Sequence, residues 1–151
     1  MLDQKRIEEL IEISIEEAEK AIVRGDDPFG GVITDKEGNI IVRNGNRQNT
    51  EQNPSAHAEI VCIREACKKL QTNDLSGFIS FCNAESCPMC ASAMMMAGIR
   101  DFYFGTFMED WYTPHVRMQT VADSMRSGII VHGGILEEKT REVVDRGRGN
   151  L

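Results

Sequence analysis

The stretch 55-SAHAEIVCIREAC-67 decides how this chain is read, together with 86-SCPMC-90 further on. In the first stretch apolar residues recur at helical spacing with charges between them. Pro54 precedes it and Ser55 stands where an N-cap is expected, so the pattern predicts a helix over about Ala56 to Leu70. His57 and Glu59 then fall in its first turn. In mid-helix, residues two apart project about 200° from one another. An imidazole and a carboxylate so spaced can serve one site only where the helix begins. A second helix start is written in Cys87-Pro88-Met89-Cys90, with Pro88 suited to the first helical position and Gly98 to the end. Cys87 and Cys90 share a face there, at the positive end of the helix dipole, where thiolate is favoured.

Outward from these two starts the chain alternates elements. Residues 3 to 24 read as an amphipathic helix, with Ile7, Leu10, Ile11, Ser14, Ala18, Ala21 and Ile22 at three- and four-residue steps. "GVITDKEGNIIVRNGN" holds two β-rich runs joined at "KEGN", a hairpin. "SGFISFCNA", "IRDFYFGT" and "IIVHGG" read as strands. The region "FMEDWYTPHVRMQTVADSMRSG" reads as a loop then a helix, and "LEEKTREVVDRG" as the last helix. Strands joined through helices in the second half imply parallel pairing, and the opening hairpin is antiparallel. The expected fold class is α/β: a mixed sheet covered by helices, with residues 1–151 as a single domain.

The 151 residues are enough to bury a core. No apolar run nears the roughly 20 residues that span a bilayer, and the acidic, amphipathic start is unlike a signal or transit peptide. A cytoplasmic protein with no membrane partner is the expectation. The net charge of −7, with no basic cluster beyond "CKKL" and "DRGRG", argues against nucleic acid and for a small molecule as partner. Five cysteines, an odd number, argue for metal ligation or burial over a disulfide framework.

A single CxxC suits a redox pair or half of a metal site. His57 changes the balance, because it adds a third ligand of another type at a second helix start. Three protein ligands leave a fourth position open, the arrangement of a catalytic rather than a structural zinc. Zinc lowers the pKa of its water toward about 7, and Glu59 beside it can move a proton to a substrate nitrogen. That is the chemistry of hydrolytic deamination.

HAE and SCPMC, with 27 residues between Glu59 and Cys87, resemble the signature of the zinc-dependent cytidine deaminase-like superfamily, whose pattern is H-x-E followed by P-C-x-x-C. "DPFGGVI", "NGN" at 44–46 and "NPSAHAE" resemble its guanine, cytosine and transfer-RNA adenosine deaminase branch. The likeness runs from about Pro28 to Gly105. It implies a three-layer α/β/α fold on an about five-stranded mixed sheet, Zn2+ on His57, Cys87 and Cys90, and Glu59 as the catalytic proton shuttle. It further implies that Asn46 contacts the base, that Phe29 lines the pocket, that the backbone of Ala58 and Cys87 lies near the reacting amide, and that Glu85 adjoins the site. A homodimer is implied on the same ground.

Two departures qualify the match. Ser86 replaces the usual proline before Cys87, and "TFMEDWYTPH" stands where the transfer-RNA enzymes carry a Lys-Thr-Gly-Ala-like segment. The second, with the acidic charge, weighs against RNA. The expectation is therefore a deaminase of a small amino-heterocycle, guanine first and cytosine next. The alternatives are a transfer-RNA adenosine deaminase and, from another class, a non-catalytic zinc-stabilised binding module. Trp111, with Tyr112 and His115, is a candidate for stacking on the base. Cys62, Cys67, Cys82 and the Met94–Met96 run are expected in the core, and Asn46 has a competing reading as turn chemistry.

Overall fold

A computed structural model of the chain describes residues 1–108, 116–125 and 128–149. The elements are α1 (Gln4–Arg24), β1 (Gly30–Thr34), β2 (Ile40–Gly45), α2 (Ala58–Leu70), β3 (Ile79–Ala84), α3 (Pro88–Met96), β4 (Asp101–Thr106), α4 (Met118–Ser124), β5 (Ile130–His132) and α5 (Glu137–Gly147). The strands form one sheet in the order β2-β1-β3-β4-β5. β1 pairs antiparallel with β2 and β3, while β3, β4 and β5 run parallel. The mixed α/β sheet expected from the element order is what forms. Among the described residues, no helix is long and apolar enough to cross a membrane.

Side chains alternate across the strands and so build two apolar layers. Ile79, Phe81, Val32 and Tyr103 face α1, whose Ile7, Leu10 and Ile11 are buried against them. Ile33, Cys82, Phe102 and Phe104 face the other way, onto Cys62 and Ala66 of α2, Ala91, Met94 and Met95 of α3, and Met118 and Ala122 of α4. Helices on both faces of one sheet give the three-layer architecture. Met94 and Met95 are core as expected, whereas Met96 is 79% exposed on the outer side of α3.

The hairpin lies close against α1 because two glycines face it. Gly30 and Gly45 are register partners. A Cβ on Gly30 would lie 2.7 Å from the Ala18 nitrogen, and one on Gly45 would lie 2.6 Å from the Glu17 carbonyl oxygen. Both neighbours are helix backbone and cannot yield. The glycine of "NGN" is thus a close-approach position at the end of β2, and the turn chemistry sits earlier, where Asp35 Oδ1 accepts from the N–H groups of Glu37 and Asn39. Glu17, buried on α1, accepts from Lys20 at 2.9 Å and from Arg43 of β2 at 2.7 Å, tying helix to hairpin.

One boundary differs from expectation in a way that matters. Ser55 is not the N-cap of α2; its hydroxyl is held by Asn53 Oδ1 at 2.7 Å. The helix begins two residues later, and His57, with extended backbone, is the N-cap. The Asn53–Ser55 turn consumes the better capping residue and leaves the cap position to a side chain that makes no capping bond.

Candidate metal centre and pocket

Two helix N-termini meet at the C-terminal edge of the sheet's centre. His57 is the N-cap of α2 and Cys87 the N-cap of α3, both extended and neither bonded to its own helix end. Cys90 is the third residue of α3 and fully buried. Released from capping, the His57 and Cys87 side chains turn toward each other, with His57 Nδ1 3.5 Å from Cys87 Sγ. The ligand atoms of His57, Cys87 and Cys90 all lie within 4.8 Å of one another. Bonds of about 2.0–2.1 Å to nitrogen and 2.3 Å to sulfur at a tetrahedral angle place those two atoms about 3.6 Å apart. The observed spacing fits zinc, as does the donor set of one imidazole and two sulfurs.

The electrostatics favour a thiolate at this point. A hydrogen bond from Cys90, helped by one from His57, pulls the Cys87 thiol down to about 4. The same bond to Cys87, with burial, pushes Cys90 upward. Bonding to Cys87 raises His57, with Glu59, Cys87 and Asp27 adding their charges and burial opposing. The two helix dipoles add positive potential at the trio.

Glu59 is the second residue of α2 and is 8% exposed. Burial, then the Cys87 charge, pushes its carboxyl above the usual range, while His57 and the Ser86 hydroxyl act the other way. Ser86, where proline was expected, therefore contributes a polar group to Glu59. Burial likewise pushes the Cys62 and Cys82 thiols up.

Glu59 opens onto a pocket of about 570 Å³, counting its mouth. Phe29, Asn46, His57, Glu85 and Cys87 line it as well, whereas Ala58 and Cys90 are not among its lining residues. Ala58 is fully buried at the first position of α2, where a helix start leaves N–H groups without helical partners. Asn46 is 1% exposed, its backbone N–H bonded to the Phe29 carbonyl at 2.9 Å. Glu85 has its carboxylate occupied: Oε1 accepts from the N–H of Met108 at 3.1 Å, and Oε2 from the N–H of Met118 at 3.0 Å and Arg117 Nε at 3.3 Å. Trp111, Tyr112 and His115 lie outside the described residues.

Six lining residues had not been singled out: Asp27, Gly30, Gln48, Asn83, Ala84 and Arg148. Asn83 carried a signal, since asparagine is disfavoured in a strand interior. It is fully buried in β3, where its Oδ1 accepts from Gly30 N at 2.8 Å and its Nδ2 donates to the Pro28 carbonyl at 3.0 Å, fixing the approach to Phe29. Arg148 arrives from the far end of α5 and stacks its guanidinium 5.3 Å from the Phe29 ring centre. Nothing local in the sequence announces that reach. His132 stacks on Tyr103 with ring centres 4.4 Å apart and is not among the residues that line the pocket.

Comparison with known proteins places this geometry in context. The model of the cytidine and deoxycytidylate deaminase zinc-binding region matches residues 4–106. The tRNA-specific adenosine deaminase of Bacillus subtilis is 43% identical over 94 residues, 62% of this chain and 58% of that protein. The guanine deaminase of the same organism is 44% identical over 70 residues, 46% of this chain and 44% of that protein. The chain thus spans about half the length of these curated relatives. A solved structure from work on A-to-I editing by tRNA:A34 deaminases at the wobble position superposes with a TM-score of 0.80 at 30% identity, covering 89% of this chain and 98% of that one.

These relatives overturn the expectation that nucleic acid is an unlikely partner. Proteins that share this chain's sequence over most of its length are named for transfer RNA. The inference from net charge failed because −7 is a sum over the whole surface, whereas phosphate contacts are local. Much of the acid lies on α1 and α5, as in the pairs of Glu12 with Lys139 and Glu19 with Arg146, while Arg148 stands in the pocket lining.

Proposed function

We propose that this chain, which belongs to the cytidine and deoxycytidylate deaminase zinc-binding family, hydrolyses the exocyclic amino group of adenosine in transfer RNA, releasing ammonia. The observation that carries the reaction class is the convergence of His57, Cys87 and Cys90 beside a buried Glu59 at the floor of a base-sized pocket. The choice of adenosine in transfer RNA is supported by 43% identity to a tRNA-specific adenosine deaminase. It replaces guanine as the first reading.

His57, Cys87 and Cys90 would hold the zinc, which would supply a water of lowered pKa, near 7. The chain's own groups do the rest. Glu59, raised by burial, is suited to accept a proton from the attacking water and deliver it to the amino nitrogen as the carbon–nitrogen bond breaks. Water's oxygen ends on the ring carbon and the amino group leaves as ammonia. Asn46 offers its amide to the edge of the base, and Phe29 with Arg148 forms a flat wall against which a ring can stack. The N-terminal N–H groups of α2 and α3, around Ala58 and Cys87, face developing negative charge.

A second reading, a guanine deaminase, is favoured by 44% identity to that enzyme over 70 residues. One experiment separates them. Zinc-loaded protein is incubated with an anticodon stem-loop bearing adenosine, and separately with guanine and cytosine. Inosine in the RNA is the expected product; xanthine alone reverses the ranking, and ammonia from none refutes both. Two copies are expected to pair through the exposed side of α3, where Met89 and Met96 stand 40% and 79% exposed; sedimentation of a monomer at micromolar concentration contradicts that.

A further inference from the structure

Asn46 and Gln48 form a closed polar relay at the pocket wall. Asn46 Nδ2 donates to Gln48 Oε1 at 2.7 Å, and the Gln48 backbone N–H donates back to Asn46 Oδ1 at 3.0 Å. Gln48 Nε2 donates in turn to the Pro54 carbonyl at 3.3 Å. Amide ends resemble one another in shape, so their direction has to be decided by chemistry. Here both terminal groups are unambiguous: a backbone N–H can only donate and a backbone carbonyl can only accept. The first requires Oδ1 of Asn46 at its end, and the second requires Nε2 of Gln48 at the other. Every bond between them follows, and an Asn46 flip would set donor against donor and acceptor against acceptor.

The Asn46 backbone is fixed as well. Its N–H donates to Phe29 O at 2.9 Å and its carbonyl accepts from Arg24 Nη2 at 3.0 Å. Only side-chain rotation is left, and Gln48 removes it. A side-chain amide has two donor hydrogens and two acceptor lone pairs. Gln48 uses one of each, leaving one N–H and one lone pair, in fixed order, for a ligand.

From this geometry we infer that Gln48 is a positioning residue for base selection: it locks the Asn46 amide so that the pocket presents one donor and one acceptor to the base edge. The inference rests on the reading of Asn46 as a base contact. Gln48 is half-buried and lies outside both the H-x-E and C-x-x-C motifs, so the metal centre does not depend on it.

The test compares Gln48→Met, which keeps length and removes the acceptor, with Gln48→Glu, which keeps an acceptor for Asn46 Nδ2. Side-chain amide proton exchange of Asn46 is measured by NMR, the signal being assigned by its loss in Asn46→Asp. KM and kcat are measured on whichever of the stem-loop adenosine or free guanine the wild type turns over. Gln48→Met is expected to speed Asn46 exchange at least about fivefold and to raise KM about five- to tenfold, the worth of one net hydrogen bond. Its kcat, zinc content and melting temperature should stay near wild type, and Gln48→Glu should restore most of the KM. Unchanged exchange and KM in Gln48→Met overturn the proposal, as does a Gln48→Glu variant as impaired as Gln48→Met. Absence of turnover by the wild type on every base rejects the deaminase reading and, with it, the role in selection, while the exchange rates still judge the lock itself.

Discussion

Replacing Asp26 tests how the wall that carries Asn46 and Gln48 is held. Asp26 follows Gly25, the C-cap of α1, and its side chain has no exposed surface. Oδ1 accepts from the N–H groups of Asn49 at 3.0 Å and Thr50 at 2.9 Å; Oδ2 accepts from Thr50 Oγ1 at 2.9 Å and Arg24 Nε at 3.2 Å. Hydrogen bonds to a charged acceptor contribute about 1.5–3 kcal/mol each when fully shielded. Asn49 and Thr50 are exposed, so water reaches part of what Asp26→Ala would leave unpaired. The sum therefore shrinks to about 3 kcal/mol. Asp26→Asn keeps one oxygen for the two backbone donors but turns an amide nitrogen toward Arg24, and should cost about half as much. Burial opposes ionisation of Asp26, yet the Thr50, Arg24 and Asn49 donors outweigh it and hold the carboxyl below the usual range. A depressed carboxylate stabilises fully above its unfolded pKa of about 3.9 and loses that contribution as pH falls through the lower folded value. In urea unfolding, the gap between wild type and Asp26→Asn should be constant from neutral pH to about 5 and should close below about 4. An Asp26→Ala variant within about 0.5 kcal/mol of wild type would refute the reasoning.

Three further outcomes are expected. Glu59→Gln should lower turnover by about 10²–10⁴-fold with zinc stoichiometry intact; full activity would remove Glu59 from the reaction, and absence of activity in both proteins would favour the non-catalytic binding module. Chelation of the metal should abolish ammonia release, and in the metal-free protein Cys87, held to about 4, should be alkylated before the buried Cys62 and Cys82 at pH 7; mass mapping that finds Cys62 first contradicts this. Gly30→Ala, whose Cβ would press on the α1 backbone, should destabilise by about 3 kcal/mol, and an unchanged urea midpoint would show that α1 can withdraw without cost.

Periodic features were legible and non-periodic ones were not. The short apolar runs in "ISFCN" and "DFYFG", buried along their length, and the helical spacing of Ile7, Leu10 and Ile11 are each visible within a few residues, so the element order could be read directly. Ser55 misled because capping preference is local and weak. The Asn53 side chain took its hydroxyl, and the helix start moved to His57. Gly30 of "FGG" and Gly45 of "NGN" look like turn residues until the helix against them is known; their cause is a contact with α1, which no short window contains.

The site divides along the same line. His57, Glu59, Cys87 and Cys90 were readable because their chemistry is written into spacing at two helix starts, and each start can be recognised from its own few residues. Gln48 and Arg148 were not, because their roles come from what lies across the pocket. Arg148 reaches Phe29 from outside the matched region 4–106. Base selection belongs to this second class of residue. In the proposed reaction the metal trio would fix where hydrolysis takes place and Glu59 where the proton travels, and neither would distinguish one amino-heterocycle from another. That distinction requires donors and acceptors held in a fixed order, as Gln48 holds Asn46, and a wall shaped by the end of α5. The same zinc motif is therefore compatible with guanine and with adenosine in transfer RNA, and substitutions at Gln48 should change which base is preferred before they change whether any base reacts.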